Sequence, residues 1–202
     1  AMEHDAVYVH YGWSPMAQRD ISAFKINNIN GVGYGGEIFW DLTNDPYNWQ
    51  DSYTSMENII KFTEKAKYRT TTDKKLLFSY NETDRELENG EKAEKISMRY
   101  SSGYVCGFEY DSETGLYKRL RKNEPQIERN TGEQLTAKNI IIQKVKNYTI
   151  PGDSEGRQEV VTVSQGTGWY ITGGKAIEIN WAKDSRTAQT KYTDKNGNPI
   201  TL

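Results

Sequence analysis

Residues Ala6–Ile21 read AVYVHYGWSPMAQRDI, and their parsing decides what kind of domain the chain opens with. Ala6–His10 is a short apolar run of the kind that forms a buried strand. Gly12 supplies a tight turn. Ser14 and Pro15 then mark a helix start: a hydroxyl to accept from free N–H groups, followed by a ring whose missing N–H costs nothing at the first helical position. Ala17, Ile21 and Phe24 share one face of the predicted helix. A strand feeding a helix makes this an α/β beginning.

Working outward, Asn27–Gly36 reads as a turn and glycine cluster, and Glu37–Leu42 as a second strand, before a polar loop with Pro46 and Trp49. Thr54-Ser-Met-Glu57 matches a capping box, which predicts a helix to about Tyr68 with Met56, Ile59, Ile60 and Thr63 turned inward. Leu76–Tyr80 is a further predicted strand. The charged run after Asn81 then changes the texture of the chain. Beyond it, strands are predicted at Lys95–Ser101, Tyr104–Tyr110, Leu116–Arg121, Asn139–Thr149, Gln158–Ser164, Gly168–Thr172, Ala176–Ala182 and Thr190–Thr193, with at most one helical turn near Gly132–Ala137. The fold class is α+β. Residues 1–82 form an α/β part with two helices, 83–95 a charged linker or exposed turn, and 96–202 a mostly antiparallel β part.

Only 35% of the 202 residues are hydrophobic, yet 14 tyrosines and 5 tryptophans supply ring surface for a core. A formal net charge of −2 and the lack of a long basic run argue against nucleic acid as a partner. Cys106 stands alone in a strand-like setting and is expected to be a buried thiol; with two histidines besides, neither a metal site nor a cofactor is expected.

Four stretches carry a resemblance: AVYVHYGWSPMAQRDI, YDSETGLYKRL, TGEQLTAKNIIIQ and INWAKDSRTAQTKYTDKNGNPITL. Together they resemble the YerB-like lipoproteins of Gram-positive bacteria, a family of unassigned function with an N-terminal α/β part and a C-terminal β-rich part. The resemblance implies an extracytoplasmic protein attached to the outer face of the membrane by a lipid anchor upstream of this chain. It also implies a chain trimmed at both ends relative to the family, and a protein partner or a cell-wall glycan or peptide as what it binds.

Several motifs compete for a role. Gly31-Val-Gly33-Tyr-Gly-Gly36 satisfies G-x-G-x-x-G, but a strand-like segment follows where a dinucleotide site needs a helix. Asp194-Lys-Asn-Gly-Asn198 begins like a calcium loop with its glycine misplaced; a two-residue hairpin turn at Asn196-Gly197 fits better. Trp181, Lys183, Asp184, Ser185 and Arg186 form either a carboxylate-binding loop or a solvated one in which Asp184 pairs with Arg186. Trp40, Trp169 and Trp181 are expected in the core, Trp13 and Trp49 in exposed loops. His10, Tyr11, Gly12, Trp13 and Ser14 place a titratable ring beside a helix N-terminus, which suits an anion or a packed histidine better than acyl transfer.

Three functional readings follow. The first is a non-enzymatic envelope domain binding through the loops at 11–14 and 183–186. The second is a wall-modifying hydrolase or transferase with His10 as base and Asp20, Asp41 or Asp45 as its orienting partner. The third is a module completed by strand donation.

Overall fold

In the computed structural model, which describes residues 1–34, 36–43, 45, 48 and 51–202, the chain divides into two units. Ala1–Leu77 with Thr187–Gln189 make the first, and Phe78–Arg186 with Thr190–Leu202 the second. The class is α+β: both helices found among the described residues lie in the first unit, and the second is built of antiparallel strands.

The first unit starts from two matching alternations. Tyr-Val-His forms β1 (Tyr8–His10) and Asn-Ile-Asn forms β2 (Asn28–Asn30), paired in parallel with Val9 opposite Ile29. A period of two sends Val9 and Ile29 to the core and Tyr8, His10, Asn28 and Asn30 to the other face. Parallel neighbours need a crossover, and α1 (Pro15–Ala23) provides it. The Ser14 hydroxyl accepts from Ala17 N at 3.2 Å and Pro15 opens the helix, as expected from the sequence. β3 (Trp40–Asp41) pairs with β4 (Ser52–Tyr53), and α2 (Met56–Lys65) closes the unit by setting Phe62 in one cluster with Ile29, Ile38 and Phe39.

Several expectations for this unit need correction. Asn27–Gly36 contains a strand as well as turns. Of Glu37–Leu42, only Trp40–Asp41 pairs, and Trp40 is exposed rather than core. Ser55, not Thr54, caps α2; the Thr54 hydroxyl is instead spent on Ile38 O at 2.8 Å. The helix ends at Lys65, short of Tyr68, and its inward face is Ile59, Phe62, Thr63 and Ala66. Phe62 is the largest group on the helix and sets its rotation, which leaves Met56 and Ile60 in solvent. Trp49 lies outside the described residues.

The second unit contains two five-stranded sheets and a hairpin. In the first sheet β6 (Lys95–Ser101), β7 (Tyr104–Asp111) and β8 (Leu116–Arg121) form a meander. β9 (Glu124–Pro125) and β10 (Thr136–Ala137) both pair with β8. The second sheet runs β11 (Ile140–Gln143), β14 (Gln165–Thr172), β15 (Lys175–Ala182), β16 (Lys191–Thr193), with β5 (Glu91–Lys92) also on β15. β12 (Asn147–Thr149) and β13 (Gln158–Val160) pair separately. Tyr117, Ile140, Ile171 and Ala176 join the two sheets into one core, where the fully buried Tyr117 hydroxyl donates to Ala93 O at 3.0 Å. Cys106 of β7 is a buried free thiol.

Here too the sequence reading is adjusted. Asn139–Thr149 is two strands, because the chain leaves β14 for β13 around Lys144–Lys146. The expected helical turn at Gly132–Ala137 contains β10. Leu76–Tyr80 contributes one bridge, Ser79 to Thr201, rather than a strand. The turn after β16 is longer than two residues and is organised by Asp194, whose carboxylate accepts from Asn196 N, Asn198 N and Asn198 Nδ2. Those donors hold its carboxyl below the usual carboxylate range. Residues 83–95 lie in the second unit, with Asp84 paired to Lys138, Glu86 to Lys175 and β5 on the sheet.

Candidate functional site

The ends of β1 and β2 are tied together by asparagine side chains. Beyond His10 the chain turns at Gly12, whose φ of +73° places it in the left-handed region. Gly12 N donates to Asn30 Oδ1 at 2.9 Å and Val32 N to the same oxygen at 3.2 Å, so one carboxamide fixes the loops leaving both strands. Gly31 N donates to His10 O at 2.8 Å. The Tyr11 ring lies directly on Gly31: a Cβ built there would sit 2.2 Å from Tyr11 Cδ2, so only glycine allows this approach.

His10 sits in the middle of this end. Its Nδ1 donates to Gly12 O at 2.8 Å, and its Nε2 lies 3.1 Å from Asn28 Oδ1. Asn28 Nδ2 donates to Ile26 O at 3.2 Å, which orients the amide with its oxygen toward the imidazole. The ring is stacked on Tyr8 at 4.7 Å and tilted against Trp13 at 5.5 Å. Both nitrogens are therefore turned to oxygen acceptors. A general base needs a nitrogen free to take a proton and a carboxylate to orient it. Neither Asp20, Asp41 nor Asp45 bonds to His10, so the expected base arrangement is not formed: Asp41 accepts from Ser52 Oγ at 2.5 Å, and Asp20 lies 3.6 Å from Arg19.

What surrounds His10 is aromatic and accessible. Tyr8, Tyr11, Trp13 and Tyr34 are 44%, 41%, 43% and 38% exposed. Tyr11 meets Phe39 edge-on at 6.0 Å and Tyr34 rests on Phe62 at 4.6 Å, so each ring is anchored on the core while presenting a face to solvent. Val32 adds exposed aliphatic surface beside them. Tyr11, Trp13 and Tyr34 follow the carboxyl ends of the parallel pair β1 and β2, with Trp13 just before the N-terminus of α1. Flat, pre-positioned rings of this kind lose little entropy on docking and suit stacking or interface anchoring.

The second predicted loop is different. Trp181 is buried, with Nε1 donating to Lys144 O and Thr167 O, both at 3.1 Å. Lys183 is also buried, and its N–H donates to Ser164 O at 2.8 Å. Both residues are thus packed at the end of β15. Asp184 pairs with Lys191 at 3.0 Å instead of with Arg186; Ser185 and Arg186 are exposed. His10–Ser14 belong to the first unit and Trp181–Arg186 to the second.

The structure also contains cavities of about 420 Å³ and 400 Å³ in the second unit and 230 Å³ in the first. Neither predicted loop lines any of these three. Tyr8, Asn28, Asn30, Gly31 and Tyr34 complete the aromatic end and were missed in the sequence. The alternation in Asn28-Ile-Asn30, a copy of that in Tyr8-Val-His10, was the signal that marks them.

Residues 96–202 match a family described as protein of unknown function (DUF3048), C-terminal domain. A curated relative from Bacillus subtilis (strain 168), named "Putative lipoprotein YerB", is 28% identical over 182 residues, which are 88% of this chain and 53% of the relative. The chain thus spans about half the length of that relative. The crystal structure of the YerB protein from Bacillus subtilis superposes with a TM-score of 0.79 at 23% identity, over 98% of this chain and 64% of the other. The fold is shared across both units, in keeping with the resemblance drawn from the sequence motifs.

Proposed function

The chain belongs to the DUF3048 family, and on that premise we propose that it is a non-enzymatic, extracytoplasmic binding domain of a cell-envelope lipoprotein, docking a protein partner through Tyr8, Tyr11, Trp13 and Tyr34. The name of the YerB relative supports the lipoprotein part of this reading, with a lipid anchor upstream of Ala1. A Gram-positive envelope is the setting that goes with it. No cofactor is invoked.

One observation carries the binding reading. Four rings are held on the core by Phe39, Phe62, Gly31 and the Asn28–His10 contact, yet stay more than a third exposed. Exposed tyrosine and tryptophan with fixed orientation are the residues that dominate protein interfaces. Four exposed rings spread over one end of the unit suit the face of a protein better than a single glycan strand.

The experiment immobilises the chain and passes over it a detergent-solubilised envelope extract, in parallel with purified wall sacculi. The wild type retains a protein that Trp13→Ala and Tyr8→Ala lose while keeping the melting temperature of the parent. Sacculi retained by the wild type and lost by the same variants would replace the protein partner with a wall glycan. Identical retention by all three chains would remove the aromatic end as the binding surface.

A further inference from the structure

The second unit carries its own candidate site, independent of the aromatic end. The cavity of about 420 Å³ has Tyr170 and Thr172 of β14 among its lining residues, both buried, and Asn139 beside them. Tyr110 of β7 lines it from the other sheet, and Tyr80, 65% exposed, contributes an open ring. Its volume falls in the range of small-molecule sites, roughly 300–1,000 Å³.

The lining is polar in a particular way. Tyr170 OH donates to Asn139 Oδ1 at 2.9 Å, which orients the carboxamide and leaves its two N–H donors without a protein acceptor among the described residues. Thr172 Oγ1 donates to Lys138 O at 3.2 Å. The carboxylates that flank Arg85 are already taken: Asp84 pairs with Lys138, and Glu86 with Lys175, which holds the Glu86 carboxyl below the usual carboxylate range. Arg85 has no carboxylate partner among the described residues. The cavity therefore offers ring faces, an oriented amide donor and one uncommitted guanidinium fork.

We propose that this cavity binds a saccharide bearing a carboxylate, with the sugar face against Tyr80, its hydroxyl or acetamido oxygens on Asn139 and its carboxylate in the Arg85 fork. Phenol rings supply the apolar contact that a sugar face needs, and the planar guanidinium matches a carboxylate in two parallel hydrogen bonds. A neutral sugar would leave the fork unused, and a small anion would leave the rings unused.

The test titrates the isotope-labelled 202-residue chain, observed by amide NMR, with glucuronate, N-acetylmuramate, glucose and inorganic phosphate. An acidic sugar is expected to shift the amides of Asn139, Thr172 and Gly173, and glucose to bind roughly tenfold more weakly, as loss of one charged hydrogen-bond pair implies. Arg85→Ala, an exposed substitution that leaves the fold intact, is expected to reduce acidic-sugar binding by roughly the same factor. Tyr80→Ala removes the ring face and weakens both sugars. The proposal is overturned if neither acidic sugar shifts those amides, if Arg85→Ala binds as the wild type does, or if phosphate produces the same shifts at the same concentration. Because Tyr80 and Arg85 lie in the second unit and Trp13 in the first, this result and that of the capture experiment can fail separately.

Discussion

Trp13 in the first unit is 43% exposed and Trp181 in the second is 3% exposed, and each position has a local cause. β14 and β15 are eight-residue strands paired along their whole length, and they form a surface broad enough to cover an indole and satisfy its N–H. β1 and β2 are three-residue strands in a two-stranded pair, which buries Val9 and Ile29 on one side only. Nothing in that short ladder covers its other face, so Tyr8, His10 and the following Trp13 stack on one another there. Long antiparallel strands turn aromatic residues into stability. The short parallel pair turns them into surface.

The sharpest way to break this contrast is to remove both indoles. Trp181→Ala should destabilise the second unit by about 3–5 kcal/mol in urea unfolding, since it empties a packed site and removes the indole N–H that Lys144 O and Thr167 O share. Trp13→Ala should change stability by less than about 1 kcal/mol, as an exposed substitution. Equal losses would mean that the aromatic end is core after all.

A finer comparison takes one hydrogen bond from each unit. Tyr117→Phe leaves Ala93 O without its donor in the second core and should cost about 1–2 kcal/mol. Ser14→Ala removes the cap from α1 and should cost about 1 kcal/mol, read in the same unfolding experiment. A cap loss larger than the tyrosine loss would reverse the ranking of the two units.

The smallest effect is electrostatic. Arg69, hydrogen-bonded to Asp5, holds that carboxyl below the usual carboxylate range in the first unit; Lys118 does the same for Asp111 in the second. A carboxyl depressed on folding adds stability above its unfolded pKa and loses it as pH falls through the folded value. Both pairs are solvent-exposed, so the contribution is small and screened by salt. Arg69→Ala should raise the Asp5 NMR titration midpoint toward the ordinary carboxyl value, with Thr72 and Lys74 still holding it down in part, and Lys118→Ala should raise that of Asp111, which keeps its bonds from Glu113 and Thr114 N–H. An unmoved midpoint in either variant would show that its pair does not persist in solution.

Much of this was legible in local chemistry. Ser14-Pro15 announced α1, and the strands Lys95–Ser101 and Leu116–Arg121 stand where alternation and turn residues placed them. What local patterns could not supply was which face wins. Met56, Ile59, Ile60 and Thr63 make as good a helical stripe as Ile59, Phe62, Thr63 and Ala66, and only contact with Ile38 and Phe39 selects the second. Trp40 and Trp181 both alternate with polar neighbours, and the size of the sheet around each decides exposure. At the site, His10 to Ser14 were found because a histidine and a cap are conspicuous. Asn28 and Asn30 were not, because their role exists only once β2 lies beside β1.

The most direct measurement is capture from an envelope extract on three immobilised chains of equal stability: wild type, Trp13→Ala in the first unit and Tyr148→Ala at an exposed ring of the second. The expected result is a partner held by the wild type and by Tyr148→Ala and lost by Trp13→Ala. Retention by Trp13→Ala at the wild-type level, or loss by both variants alike, would contradict the assignment of binding to the aromatic end of β1 and β2.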